Sequence, residues 1–137
     1  MHNNHTNTKV YSNTSILVID DEEDIVSLIK KSLDRDAFKV CTFTDALTAL
    51  EHFNSHQDHH SIVISDIRMP RMNGYEFVKQ LKKINPQVRI ILMSAFEIKP
   101  KEFLHILPDI KIDAFIQKPF SMNMLQNIVQ QNIIPYS

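Results

Sequence analysis

The stretch Ser15-Ile16-Leu17-Val18-Ile19-Asp20-Asp21-Glu22-Glu23-Asp24 governs the reading of the chain. An apolar run without a polar face breaks off abruptly into consecutive acids. Runs that do not alternate read as strands buried on both sides, as in parallel sheets covered by helices. Similar runs follow at 38–43, 61–65, 88–93 and 112–116. Helical spacing fills the gaps. Ile25, Leu28, Ile29 and Leu33 share one face, as do Ala46, Leu47, Leu50 and Phe53, then Phe77, Val78, Leu81 and Ile84. A last helix carries Leu125, Ile128 and Val129 behind a Ser121 cap. The fourth is short: Pro100 suits its first turn and Pro108 ends it, leaving about two turns around Phe103, Leu104 and Leu107.

Strand and helix therefore alternate, with connections too long for hairpins. The pattern predicts an α/β fold: a five-stranded parallel sheet with right-handed crossovers and helices on both faces. Residues 1–13 are polar and aperiodic and read as a flexible tail. One domain, 14–134, follows, and 135–137 form the C-terminal end, with nothing expected downstream. Glycine occurs once, as Gly74, where average usage would give roughly ten. Neither Gly-rich phosphate cradle can be written with one glycine. Lys+Arg 15 against Asp+Glu 16 leaves a net charge of -1, no footprint for direct nucleic-acid binding. The lone Cys41 cannot pair internally, which suits a reducing compartment. No membrane span or signal peptide reads, so no membrane insertion and a cytoplasmic protein are expected.

Ligands of open α/β sheets bind beyond the carboxyl ends of the strands. The first strand ends in Asp20 and Asp21, the third in Asp66, the fourth in Ser94 and the fifth runs into Lys118. Three crowded carboxylates call for a cation, and a hard divalent ion such as Mg²⁺ fits oxygen ligands. With an ammonium and a hydroxyl beside them, such a set suits a carboxylate that accepts a phosphoryl group.

ILVIDDEED (16–24), ISDIRMPRMNGYEF (64–77), IILMSAFE (90–97) and FIQKPF (115–120) together resemble the response-regulator receiver domain of two-component signalling, in its stand-alone form. The resemblance implies a flavodoxin-like (βα)5 doubly wound sheet in the order 2-1-3-4-5. It implies Asp66 as phosphoacceptor, and Mg²⁺, with Mn²⁺ as substitute, held by Asp21 directly, Asp20 through water, Asp66 and the Arg68 backbone carbonyl. Ser94 would be the switch hydroxyl, Phe115 the switch aromatic and Lys118 the phosphate-contacting lysine before a cis Pro119. A histidine kinase or histidine phosphotransfer protein would donate the phosphoryl group. Output would leave through the face of the fourth helix, fifth strand and fifth helix to an unknown downstream protein, or by passing the group on.

Departures from the family pattern are also legible. The segment between Ser94 and Lys118 is long and has Asp109–Asp113 where a glycine is usual. Phe115 lacks a tyrosine hydroxyl. Arg68 and Phe96, each two residues beyond a key side chain, are large enough to hinder an attacking water and lengthen the phosphoryl lifetime. Phe96, Phe103, Met122 and Met124 fit either the core or a partner face, while Lys30-Lys31 and Lys82-Lys83 read as solvated. His52 and His56 have i, i+4 spacing that can hold Zn²⁺ or Ni²⁺, with His59 and His60 beyond. Neither Cys41 nor the carboxylates obviously converge on them, so a solvated helix end is the favoured reading. Two other functions compete. A haloacid-dehalogenase-type phosphatase needs an acid where Arg68 stands, and a phosphorylation-independent pseudo-receiver would have lost one of the acids or the lysine, all of which are present.

Overall fold

A computed structural model describes residues 14–36, 38–56, 60–96, 101, 105 and 107–133. Its elements are β1 (Ser15–Ile19), α1 (Glu23–Arg35), β2 (Lys39–Phe43), α2 (Ala46–Ser55), β3 (Ile62–Asp66), α3 (Gly74–Ile84), β4 (Arg89–Ser94), β5 (Ala114–Gln117) and α4 (Met122–Gln131). The strands form one sheet in the order β2-β1-β3-β4-β5, every pair parallel, as the sequence predicts. The short helix expected between Pro100 and Pro108 falls largely outside the described residues, as does the tail 1–13.

Alternating side chains divide the core in two. Leu17, Ile19, Val63, Ile90 and Leu92 meet α2 and α3, while Ile16, Val18, Ile64, Ile91 and Met93 meet α1 and α4. Two predicted helical faces are rotated. α1 buries Val26, Ile29 and Leu33 and leaves Leu28 50% exposed; α2 buries Ala46, Ala49 and Phe53 and leaves Leu47 45% exposed. Both true stripes run i, i+3, i+7. In α2 the small alanines let the helix lie close to the sheet, so the bulkier leucine turns outward.

Side chains cap three helix starts, Ser121 as the sequence implies. Asp45, Asn73 and Ser121 accept the N–H groups of Thr48, Glu76 and Met124 at 3.0, 3.0 and 3.1 Å. The glycine-free segment before β5 is pinned by Asp113. Its N–H donates to the Ile90 carbonyl at 2.9 Å, and its carboxylate accepts the Ile90 N–H at 2.8 Å. Lys82, read as solvated, instead lies half-buried and donates to the Val88 carbonyl at 2.6 Å.

Gly74 opens α3 where the chain returns from Asp66. Its N–H donates to the Ile67 carbonyl at 2.6 Å, and a Cβ there would lie 2.8 Å from both the Asp66 carbonyl oxygen and Ile67 Cα. Close backbone approach, not a left-handed φ, requires the glycine. Gly74→Ala is therefore expected to lower stability by about 1–3 kcal/mol through overpacking, although alanine is intrinsically the better helix former by ~1 kcal/mol. Urea unfolding checks this; an unchanged or higher midpoint would show that the loop yields freely.

Candidate functional site

At the end of β1 the Asp20 N–H donates to the Phe43 carbonyl at 3.2 Å, which fixes the residue between two strands. Its side chain has no solvent exposure, and a buried carboxylate is costly unless it is paired. Both oxygens are engaged: one accepts the Glu22 N–H at 2.9 Å, the other the Lys118 ammonium at 2.5 Å. Asp66, last in β3, is 7% exposed, and its carboxylate lies 3.6 Å from the same ammonium. The Lys118 N–H donates to the Ser94 carbonyl at 2.7 Å, holding the ends of β4 and β5 together, and Lys118-Pro119 is cis. Ser94 is 5% exposed, and its hydroxyl oxygen accepts the Phe96 N–H at 3.0 Å.

One oxygen each from Asp20, Asp21 and Asp66 can be chosen so that all lie within 4.8 Å of one another. Burial, and next the charge of Asp20, push the Asp66 carboxyl above its usual range, outweighing the pull of Lys118 and the Ile67 N–H. Burial alone would lower the Lys118 pKa. The hydrogen bond and charge of Asp20, with Asp66 and Glu22, instead raise it, so the group stays a fixed cation. A crowded all-oxygen set with exposed Asp21 on its open side matches the chemistry of Mg²⁺, which keeps several waters.

The other predicted residues surround this cluster. Arg68 stacks its guanidinium 4.0 Å from the centroid of Phe96, which is 53% exposed and so not core. Phe115 is half-buried in β5 and packs toward the α2–α3 side of the sheet. On α4, Met122 is half-buried and Met124 half-exposed, while Phe103 lies outside the described residues.

Two features escaped the sequence. Arg71, at a positive φ of 69°, reaches back to pair with Asp45 and braces the loop after Asp66. The Thr48 N–H and hydroxyl, with Arg71, hold Asp45 down at about 2. In addition, a cleft of about 420 Å³ lined by Glu22, Ile25, Leu28, Ala95, Lys118 and Phe120 opens beside the acidic cluster. The exposed Leu28, which periodicity placed on the buried face, is part of its wall.

Comparison with known proteins agrees with this geometry. The family model described as the response regulator receiver domain matches residues 16–130. The alkaline phosphatase synthesis transcriptional regulatory protein PhoP of Bacillus subtilis is 33% identical over 110 residues, covering 80% of this chain and 44% of PhoP. The chain thus spans a little under half the length of the curated relatives it matches. A receiver domain from Clostridium thermocellum superposes with a TM-score of 0.77 at 26% identity, covering 88% of this chain and 94% of that one. TrrA of Thermotoga maritima, solved in complex with Mg²⁺-BeF, gives 0.73 at 28% identity, covering 87% and 98%. Among the described residues, no helix is long and apolar enough to cross a membrane.

The raised Asp66 pKa has a signed consequence. Folding favours its protonated form, so stability is lost as pH rises from the ordinary value of 3.8 through the folded one. Without divalent metal, Asp66→Asn should raise the urea midpoint at neutral pH and change it little below pH 3.8. Adding Mg²⁺ should stabilise the wild type more than the variant. Equal midpoints at neutral pH would show that neither burial nor the Asp20 charge penalises the ionised Asp66.

Proposed function

The chain belongs to the response-regulator receiver family, and from that premise we propose that Asp66 accepts a phosphoryl group from a phosphohistidine on a histidine kinase or histidine phosphotransfer protein. The observation that carries this reading is the placement of the Lys118 ammonium, 2.5 Å from Asp20 and 3.6 Å from Asp66 at the strand ends. An Asp66 oxygen attacks phosphorus, the P–N bond to the donor imidazole breaks, and an acyl phosphate remains on Asp66. Hydrolysis later returns the carboxylate when water attacks the same phosphorus.

Asp20, Asp21, Asp66 and the Arg68 backbone carbonyl would hold Mg²⁺, or Mn²⁺ in its place. When bound, the ion offsets charge on the phosphoryl oxygens. Lys118 meets that charge from the other side, already oriented by Asp20, so little reorganisation accompanies transfer. The cleft beside Lys118, with exposed Leu28 on its wall, offers a protein donor apolar surface next to the acceptor.

Ser94 turns its hydroxyl toward the new phosphoryl oxygens, leaving its bond with the Phe96 N–H, and Phe115 moves into the vacated space. β5, α4 and the segment before β5 thereby present a second surface to a downstream protein, or the group passes onward. This activity is regulatory, confined to the domain's own phosphorylation and dephosphorylation, and its setting is the cytoplasm. Arg68 and Phe96, stacked on each other at 4.0 Å, hinder the attacking water as a unit.

Acetyl phosphate with Mg²⁺, followed by intact mass, should add one phosphoryl group to the wild type and none to Asp66→Asn. Lys118→Met should slow uptake by about 10²-fold or more, the usual cost of removing one oriented donor. No gain of mass on the wild type sinks the reading.

Arg68→Ala and Phe96→Ala should each shorten the phosphoryl half-life, and the double variant should shorten it little further, as coupled neighbours are non-additive. Unchanged decay in both single variants refutes the shield.

A further inference from the structure

A second cluster of ligand-type side chains gathers between edge strand β2, the end of α2 and the lead-in to β3, and receiver chemistry makes no use of it. Cys41 is the middle residue of edge strand β2, on the face that α2 covers. His52, in the last turn of α2, tilts against Phe43 with ring centroids 5.1 Å apart. His60 leads into β3 and is 2% exposed. The two Nε2 atoms of His52 and His60 stand 2.9 Å apart. The Cys41 sulfur and one ring nitrogen of each histidine all lie within 4.8 Å of one another.

The fold thus corrects the pairing read from the sequence. His56 stacks on His52 at 4.2 Å and puts its Nδ1 on the His52 carbonyl at 2.8 Å, so it braces the helix end. The converging partner is His60, eight residues on, together with the cysteine that seemed remote. Helical spacing cannot show this, because the three residues come from a strand, a helix and the lead-in to another strand.

We propose that Cys41, His52 and His60 bind one Zn²⁺ ion, with water in the fourth position. Thiolate and imidazole are the donors that select a borderline-soft ion, whereas the all-oxygen cluster around Asp66 suits a hard one. Around tetrahedral Zn²⁺, two imidazole nitrogens sit about 3.3 Å apart and a thiolate sulfur about 3.6 Å from each. The 2.9 Å pair needs to open by only a few tenths of an ångström. The outer partner of His60 is in place: its Nδ1 lies 3.0 Å from the Ser15 hydroxyl, so an N–H there turns the Nε2 lone pair toward the cluster.

Loading balances simply. The Cys41 S–H bond breaks, the sulfur–zinc bond forms and one proton leaves to solvent. Whichever ring carried Nε2–H shifts that proton to Nδ1, with no further release. His60 and Asp66 are six residues apart along β3 and its lead-in, or about 20 Å, so the two sites do not share ligands.

Co²⁺ titration in excess Mg²⁺ tests the site in the 137-residue chain. The expected result is a thiolate-to-cobalt charge-transfer band with intense tetrahedral visible bands, saturating at one equivalent and erased by Zn²⁺. Only Cys41 can supply that thiolate, as the chain has 1 cysteine. Cys41→Ser should abolish the band, His60→Ala should weaken cobalt binding at least tenfold, and Zn²⁺ should raise the melting temperature of the wild type but not of Cys41→Ser. Uptake of a phosphoryl group from acetyl phosphate reports that each variant is folded. Absence of the band in the wild type overturns the proposal, whatever the variants do. So does Zn²⁺ affinity that survives both substitutions, which would assign binding to the remaining histidines.

Discussion

The contact between Lys118 and Asp20 holds the functional end of the molecule together. Asp20 carries a carboxylate with no solvent exposure, and its position makes sense only because the ammonium and the Glu22 N–H occupy its two oxygens. Remove the ammonium and a buried charge loses its partner, at a cost of about 3–5 kcal/mol. The same ammonium leans toward Asp66, so one cation links the ends of β1, β3 and β5. At Asp66 that ammonium does not offset burial and the neighbouring Asp20 charge, so the pKa of Asp66 is raised. Further positive charge beside Asp66 would relieve that penalty.

The backbone is as tightly constrained as the charges. The loop leaving Asp66 turns so closely past α3 that no Cβ fits at Gly74. The Asn73 cap and the Arg71–Asp45 pair hold the two sides of that turn. The 1 glycine of the chain stands where the backbone passes closely by Asp66. Elsewhere polar side chains do the fastening, as Asp113 does before β5.

The five parallel strands and the residues at their carboxyl ends were legible because buried parallel strands leave unbroken apolar runs, with the chemistry where those runs stop; the strand order came from the family resemblance. Helix rotation was less so. Counting leucines placed Leu28 and Leu47 inward, whereas the close packing of Ala46 and Ala49 against the sheet turns Leu47 out. Long-range convergence was invisible for the same reason. His52 and His56 advertise themselves by spacing, yet the contact that forms joins His52 to His60, and Cys41 arrives from the edge strand. Periodicity reports which residues share an element's face, not which faces meet.

The sheet also keeps its devices apart. Cys41 lies in edge strand β2 and Phe115 in the opposite edge strand β5, with β1, β3 and β4 between them. Four inter-strand steps of about 4.8 Å place them ~19 Å apart across the sheet, besides the separation along the strands. A zinc ion at Cys41 would tie β2, α2 and the lead-in to β3, none of which contains Ser94, Phe115 or Lys118. Its effect is then confined to stability, by mass action on the folded state. Asp66, by contrast, faces Lys118, whose N–H is bonded to the Ser94 carbonyl at the ends of β4 and β5. One sheet can thus hold an all-oxygen cluster at its strand ends and a sulfur–nitrogen cluster beside its edge strand without the two sharing a ligand.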